Sequence, residues 1–214
     1  MAGGEYEKNV FINCPFDDDY TPLLRPLLFT VVRLGFRPRL SSERSDSAEN
    51  RLKKICSLID ESRNSIHDLS RLKASVEGEF YRLNMPFEFG IDYGCRAFGE
   101  NTGKRCLVLA GEPYEYRRAL SDISGSDIKY HEEEPSKIVR GVRNWFVETV
   151  GLRRIPGGTP IWREFTDFMA EFYDRRESEG FSGDDLIMMP VPEFVDFIFE
   201  WCELRPLKGP RPRR

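Results

Sequence analysis

NVFINCPFDDDYTPLLRPLLFTVVRLGFRPRL, residues 9–40, is the stretch on which the fold turns. Its opening, Asn9–Cys14, is a short apolar run of the kind that becomes a buried strand. PFDDDY follows as a polar loop, and Leu23, Leu24, Leu27, Leu28, Val31 and Val32 then recur at the spacing of an amphipathic helix. Pro22 and Pro26 predict an irregular helix start, because neither offers a backbone N–H. Gly35 closes the helix, and FRPRLSS is a second, poorer strand, placed near an edge by Pro38.

The alternation continues outward from this unit. Ala48, Leu52, Ile55 and Ile59 predict a second helix, capped by Asp46 or Ser47. NSIHDLS is a third strand ending at Asp68, and the polar segment Arg71–Leu83 is long enough to form a flap. A third helix runs from about Pro86 to Phe98, KRCLVLA is the fourth strand, and DIKYH reads as a fifth. Strands and helices in this order imply right-handed crossovers. The expected fold class is therefore α/β: a flavodoxin- or Rossmann-like three-layer sandwich with a mostly parallel sheet.

From about Pro135 the pattern is helical, marked by Ile138, Val142, Trp145 and Phe146, then Ile161, Phe165, Phe168 and Phe172, then Phe194, Val195, Ile198 and Trp201. The expected organisation is an α/β domain over 1–132, a helical extension over 133–204 and a basic tail over 205–214.

Composition narrows the function. Net charge is −4, which does not favour a general nucleic-acid footprint. The tail RPLKGPRPRR departs from this with five cations and three prolines; it reads as a solvated segment, with weak polyanion contact as the other reading. No apolar run approaches the roughly 20 residues of a membrane span. MAGGEYEKN has no signal-peptide pattern. Five scattered cysteines without a CxxC pair fit buried free thiols in a reducing cytoplasm better than a disulfide framework or zinc site. His67 and His131 are too few and too far apart in sequence for a histidine-rich metal centre.

In an open parallel sheet, ligands bind beyond the carboxyl ends of the strands, where strand order reverses. With order 2-1-3-4-5, that point brings together the loop after Cys14, the loop after Asp68 and the start of the third helix. Glu88 sits there, just past Pro86 and among apolar neighbours. A helix start favours negative charge, so an ionised carboxylate is expected, able to stabilise or trap a carbocation-like sugar centre. The alternative is a capping box, with Met85 as cap and Glu88 reaching back to a backbone N–H. Asp68 either binds ribose hydroxyls or orients a leaving base, or else it closes an Asx turn onto Ser70. Asn13 could hydrogen-bond a ligand edge, while Asp17, Asp18 and Asp19 read as a helix-start cluster or a weakly signalled cation site. His67 is a proton shuttle or a packed strand histidine. Gly90 and Gly94 suggest close helix–sheet packing. Arg71, Lys73 and Arg82 bracket the flap and either meet phosphates or lie in solvent. GxGxxG, GxxxxGK[ST] and GxSxG are missing, which weighs against hydride transfer, P-loop chemistry and a hydrolase serine.

VFINCPFDDDY, RNSIHDLSR and NMPFEFGIDYGCRAFG…KRCLVL, taken in order, resemble the nucleoside 2-deoxyribosyltransferase-like clan, relatives of Toll/interleukin receptor (TIR) domains. The resemblance covers about residues 9–110 and rests on Pro15-Phe16, Asp68-Leu69-Ser70 and Phe87-Glu88-Phe89-Gly90. It extends to a bacterial group sharing NCPFD…IHD[IL]SR…NMP. RLNMP replaces the usual lead-in to the helix, and the segment between Asp68 and Glu88 is longer than in the transferases. The resemblance implies cleavage or transfer at an N-ribosidic bond, with Glu88 as nucleophile or cation stabiliser. Asn13, Pro15, Phe16, Asp17, Asp68, Ser70 and Met85 would form the substrate-binding surface. Bacterial TIR-like relatives hydrolyse or cyclise NAD, often as antiphage-defence effectors, whereas the transferases exchange bases on deoxynucleosides. NAD would be substrate, with no added cofactor or metal; the implied partners are a nucleotide and other copies of the chain. The rival expectation is a catalytically silent nucleotide sensor or assembly module using the same cleft.

Overall fold

The computed structural model describes residues 2–72, 83–100 and 103–207. A short helix α1 (Ala2–Lys8) precedes β1 (Asn9–Asn13), α2 (Thr21–Arg33), β2 (Arg37–Arg39), α3 (Arg51–Asp60) and β3 (Asn64–Asp68). Then come α4 (Asn84–Phe98), β4 (Arg105–Ala110) and β5 (Ile128–Tyr130). The last part holds α5 (Pro135–Trp145), α6 (Gly158–Ser178), α7 (Gly183–Ile187) and α8 (Val191–Leu204). The five strands form one sheet in the order β2-β1-β3-β4-β5, with every pairing parallel. The fold is the expected α/β three-layer sandwich with a helical C-terminal part.

Side-chain alternation divides the strands between two faces. Val10, Ile12, Ile66, Leu107 and Leu109 point into the larger core with α2 and α5. Phe11 packs with α3 on the other face, and Val108 and Ala110 pack there with Phe89 of α4. The β4–β5 connection contains only two 3₁₀ turns, Glu115–Arg118 and Ser121–Ile123, so among the described residues α4 has no helical neighbour on its β5 side.

Several local expectations are corrected. The cap of α3 is Asn50, whose side chain accepts from the Lys53 amide at 3.0 Å. Asp46 instead closes a tight turn by accepting from the Ala48 amide at 2.9 Å. Starting at Arg51 rotates the buried face of α3 onto Ile55, Leu58 and Ile59, and leaves Leu52 in solvent. Of the five cysteines Cys14 is fully buried, Cys95, Cys106 and Cys202 are partly buried, and Cys56 is exposed. Among the described residues, no helix is long and apolar enough to cross a membrane.

Candidate functional site

The carboxyl ends of β1 and β3 lie side by side where strand order reverses, with Asn13 paired to His67 in register. α4 enters the same region. Its cap is Leu83, so Glu88 stands in the second turn and neither makes the expected capping box nor benefits fully from the helix end. Glu88 is 6% exposed, and no described residue donates a hydrogen bond to it. Burial raises its pKa above the ordinary carboxylate value, with Arg51 at the start of α3 opposing the shift. The shift runs opposite to the one a helix start would give, because desolvation is its largest cause. Cys14 is buried close by, and its thiol pKa is pushed well up by burial and by the negative charges of Asp68 and Glu88.

Asp68 is completely enclosed. Tyr20 donates its hydroxyl to Oδ2 at 2.6 Å, the Ser70 amide donates to Oδ1 at 2.8 Å, and His131 Nε2 lies 3.2 Å from Oδ2. Burial alone would raise the Asp68 pKa, but these partners hold it below the usual value. His131 Nδ1 accepts from the Glu133 amide at 3.1 Å, which leaves Nε2 to carry the proton facing Asp68. Glu132 and Glu133 take left-handed backbone, φ 51° and 55°, to make this turn. Arg71 reaches across to Glu133 at 3.0 Å and ties the loop after β3 to the loop after β5. His131 and Tyr20 escaped sequence reasoning; the one signal for His131 is position, directly after β5 as Asp68 ends β3.

Asn13 is likewise turned inward. Its Nδ2 donates to the Met85 carbonyl at 2.8 Å and to His67 Nδ1 at 3.0 Å. A carbonyl only accepts, so the amide nitrogen is fixed there and His67 Nδ1 must accept. The His67 proton therefore sits on Nε2, 3.0 Å from Asp92 Oδ2. Asp92 Oδ1 is 3.2 Å from the Lys104 ammonium, which also donates to the carbonyls of Ile59 and Ser62. This Asn13–His67–Asp92–Lys104 chain pins α4 to the sheet. Asp92, His67 and Cys106 place donor atoms within 4.8 Å of one another. They fit a cation poorly: the His67 nitrogen that would ligate carries the proton, Lys104 occupies one Asp92 oxygen, and burial pushes the Cys106 thiol up to about 12.

The remaining candidates lie around this centre. Pro15 is buried, Phe16 is exposed, and the Asp17 carbonyl accepts from the Tyr20 amide to begin a 3₁₀ turn. Asp18 and Asp19 lie in that turn. Met85 contributes its backbone carbonyl, and Ser70 Oγ is buried without a partner among the described residues. Lys73 and Arg82, with most of the flap, lie outside the described residues. The structure thus brings Glu88, Cys14 and Asp68 to one neighbourhood, while the Asn13 amide nitrogen and both Asp68 oxygens are spent on the protein itself. Searches against family models, curated proteins and solved structures give no match to this chain.

Proposed function

We propose that this chain cleaves or transfers the N-glycosidic bond of NAD or a related nucleotide. The observation that carries the reading is Glu88: a buried carboxyl group at the strand-order reversal, given no hydrogen bond by any described residue. The motif resemblance supplies the substrate class. As the bond between the anomeric carbon and the base nitrogen breaks, its electron pair leaves with the base. Positive charge then develops on the sugar, and a Glu88 oxygen stabilises or attacks that carbon before water or an acceptor takes the sugar. Asn13 and Asp68 act in this reading as positioning residues, one setting the Met85 backbone and the other shaping the turn after β3.

The test is nicotinamide release from NAD by purified wild type and Glu88→Gln, followed by chromatography. Loss of roughly two orders of magnitude in the variant supports the reading, in line with removal of one charge-stabilising group. Equal rates remove Glu88 from the mechanism. Because burial raises the Glu88 pKa, wild-type activity should rise with pH through a midpoint above the ordinary carboxylate range.

A second reading, a silent nucleotide sensor, is favoured by the internal commitment of Asn13 and Asp68. A melting shift with NAD, nucleosides or cyclic nucleotides, without product, would select it. Base exchange between deoxynucleosides would select a deoxyribosyltransferase instead.

A further inference from the structure

Parallel strands are usually joined by a crossover helix that covers the sheet between them. The β4–β5 connection lacks one among the described residues, and β5 is short, its pairing with β4 beginning only where Val108 stands opposite Ile128. The first residues of β4 therefore have β3 on one side and no described strand on the other. The Arg105 amide donates to the Arg63 carbonyl and the Leu109 carbonyl accepts from the Leu69 amide, so the odd-numbered residues face β3. Even-numbered residues face the β5 side, where Ala110 accepts from the His131 amide at 3.1 Å. Cys106 thus turns one N–H and one C=O, side by side, toward a gap. The gap belongs to a groove of about 1020 Å³. Small-molecule sites occupy about 300–1,000 Å³. Phe89, Val108, Leu120, Ile123, Ile128 and Trp145 give the groove apolar walls. Trp145 is 3% exposed, and its indole N–H is buried with no acceptor among the described residues, a costly state for a polar group. Three carboxylates, on Asp122, Asp127 and Glu148, outnumber the two cations Arg96 and Lys129 in the lining. Nothing lies within 4 Å of where a Cβ would stand on Gly90 or Gly94, so these glycines do not serve the close helix–sheet packing expected of them. Gly90 instead leaves space in the α4 wall of the groove, as Gly125 does in the wall formed by the β4–β5 connection.

We propose that this groove binds a flat, uncharged heteroaromatic ring or cyclic amide that carries a hydrogen-bond donor and an acceptor side by side. The Cys106 N–H donates to the acceptor and the Cys106 C=O accepts from the donor, the pairing that β5 would make had it begun earlier. The apolar walls take the faces of the ring, and the unpaired Trp145 N–H supplies a further donor at the buried end. The excess of carboxylates disfavours a phosphorylated ligand. A peptide strand is disfavoured by length: strand addition needs a row of free backbone groups, and from Val108 onward β5 already holds this edge. Glu88 is not among the lining residues, and the groove opens on the β4–β5 side of the sheet, away from the strand-order reversal between β1 and β3. The site therefore stands independently of the N-glycosidic reading.

The test titrates 7-azaindole, a flat ring with adjacent acceptor and donor, into the full chain. The indole N–H signals of the three tryptophans are followed by NMR, with Trp145→Phe assigning the Trp145 signal. The expected result is a saturable shift of that signal, with those of Trp162 and Trp201 unmoved. 1-Methylindole, similar in shape but without the paired groups, should bind at least tenfold more weakly. Gly90→Phe and Gly125→Phe place rings in the open space of two walls and should each weaken 7-azaindole binding at least tenfold. Their melts should stay close to wild type, since neither Cβ meets a neighbour within 4 Å. A Trp145 signal that stays still up to about 10 mM probe, where a millimolar ligand is mostly bound, overturns the proposal. So does a shift that both glycine variants leave intact, or one that 1-methylindole reproduces at the same concentration.

Discussion

Glu88 and Asp92 stand one helical turn apart and titrate in opposite directions. Both lose water, but Asp92 gains His67 and Lys104 as partners and its pKa falls to about 2, whereas among the described residues Glu88 is opposed only by the charge of Arg51 and rises. The stability consequences have opposite signs. Asp92 contributes fully above its ordinary value of 3.8, and the contribution fades as pH falls toward about 2. It amounts to about 2 kcal/mol at neutral pH. Melts of wild type and Asp92→Asn between pH 6 and 2 should therefore converge toward the acid end. Glu88 favours folding fully below its ordinary value of 4.5, and that contribution is lost as pH rises through the raised value. At neutral pH Glu88→Gln should melt at or above wild type, since it removes a desolvated charge; a clear drop in Tm would mark Glu88 as a structural residue.

At the scale of elements, α4 is positioned less by its own propensity than by the Asn13 amide beneath its first turn. Asn13→Ala would leave the Met85 carbonyl and His67 Nδ1 without their donor. The expected cost is about 1–3 kcal/mol, read as a lower denaturation midpoint with an unchanged m-value. The existence of α4 was legible in residues 86–98, but its start was not. Pro86 suggests a first-turn residue, and chain contacts beyond the helix decide that the turn begins at Asn84. That shift of two residues moves Glu88 out of capping range. The start of α3 was misread for a similar reason: Asp46 and Ser47 are good caps in isolation, and Asn50 is the one whose side chain meets an orphan amide.

At the scale of the molecule, α2 is buried on nearly every side, the sheet covering one face and α5, α6 and α8 the other. Phe29 lies 5.4 Å from Phe168 and 5.6 Å from Trp201, and Arg33 binds Glu164 at 2.7 Å, so one core runs from β1 through α2 into the C-terminal helices. Sheet and helices should unfold together. Phe168→Ala is expected to cost about 3–5 kcal/mol, lowering Tm by roughly 10 °C in a single transition. Fluorescence of Trp145, Trp162 and Trp201 should coincide with the loss of protection of the buried Cys14 thiol; separate transitions would show two independent units.

Apolar periodicity and the Gly and Pro breaks were enough to determine the sandwich, its strand sequence and the three C-terminal helical stripes, because these follow from near-neighbour spacing along the chain. Its place just past Pro86 made Glu88 the residue to watch, and resemblance in short motifs gave it an implied role. Only the tertiary structure decided which polar groups face one another: Asp68 with Tyr20 and His131, Asn13 with His67, Asp92 with Lys104. These partners come from separate elements, and burial and pairing, which fix charge state, depend on distances in space that spacing along the chain does not encode.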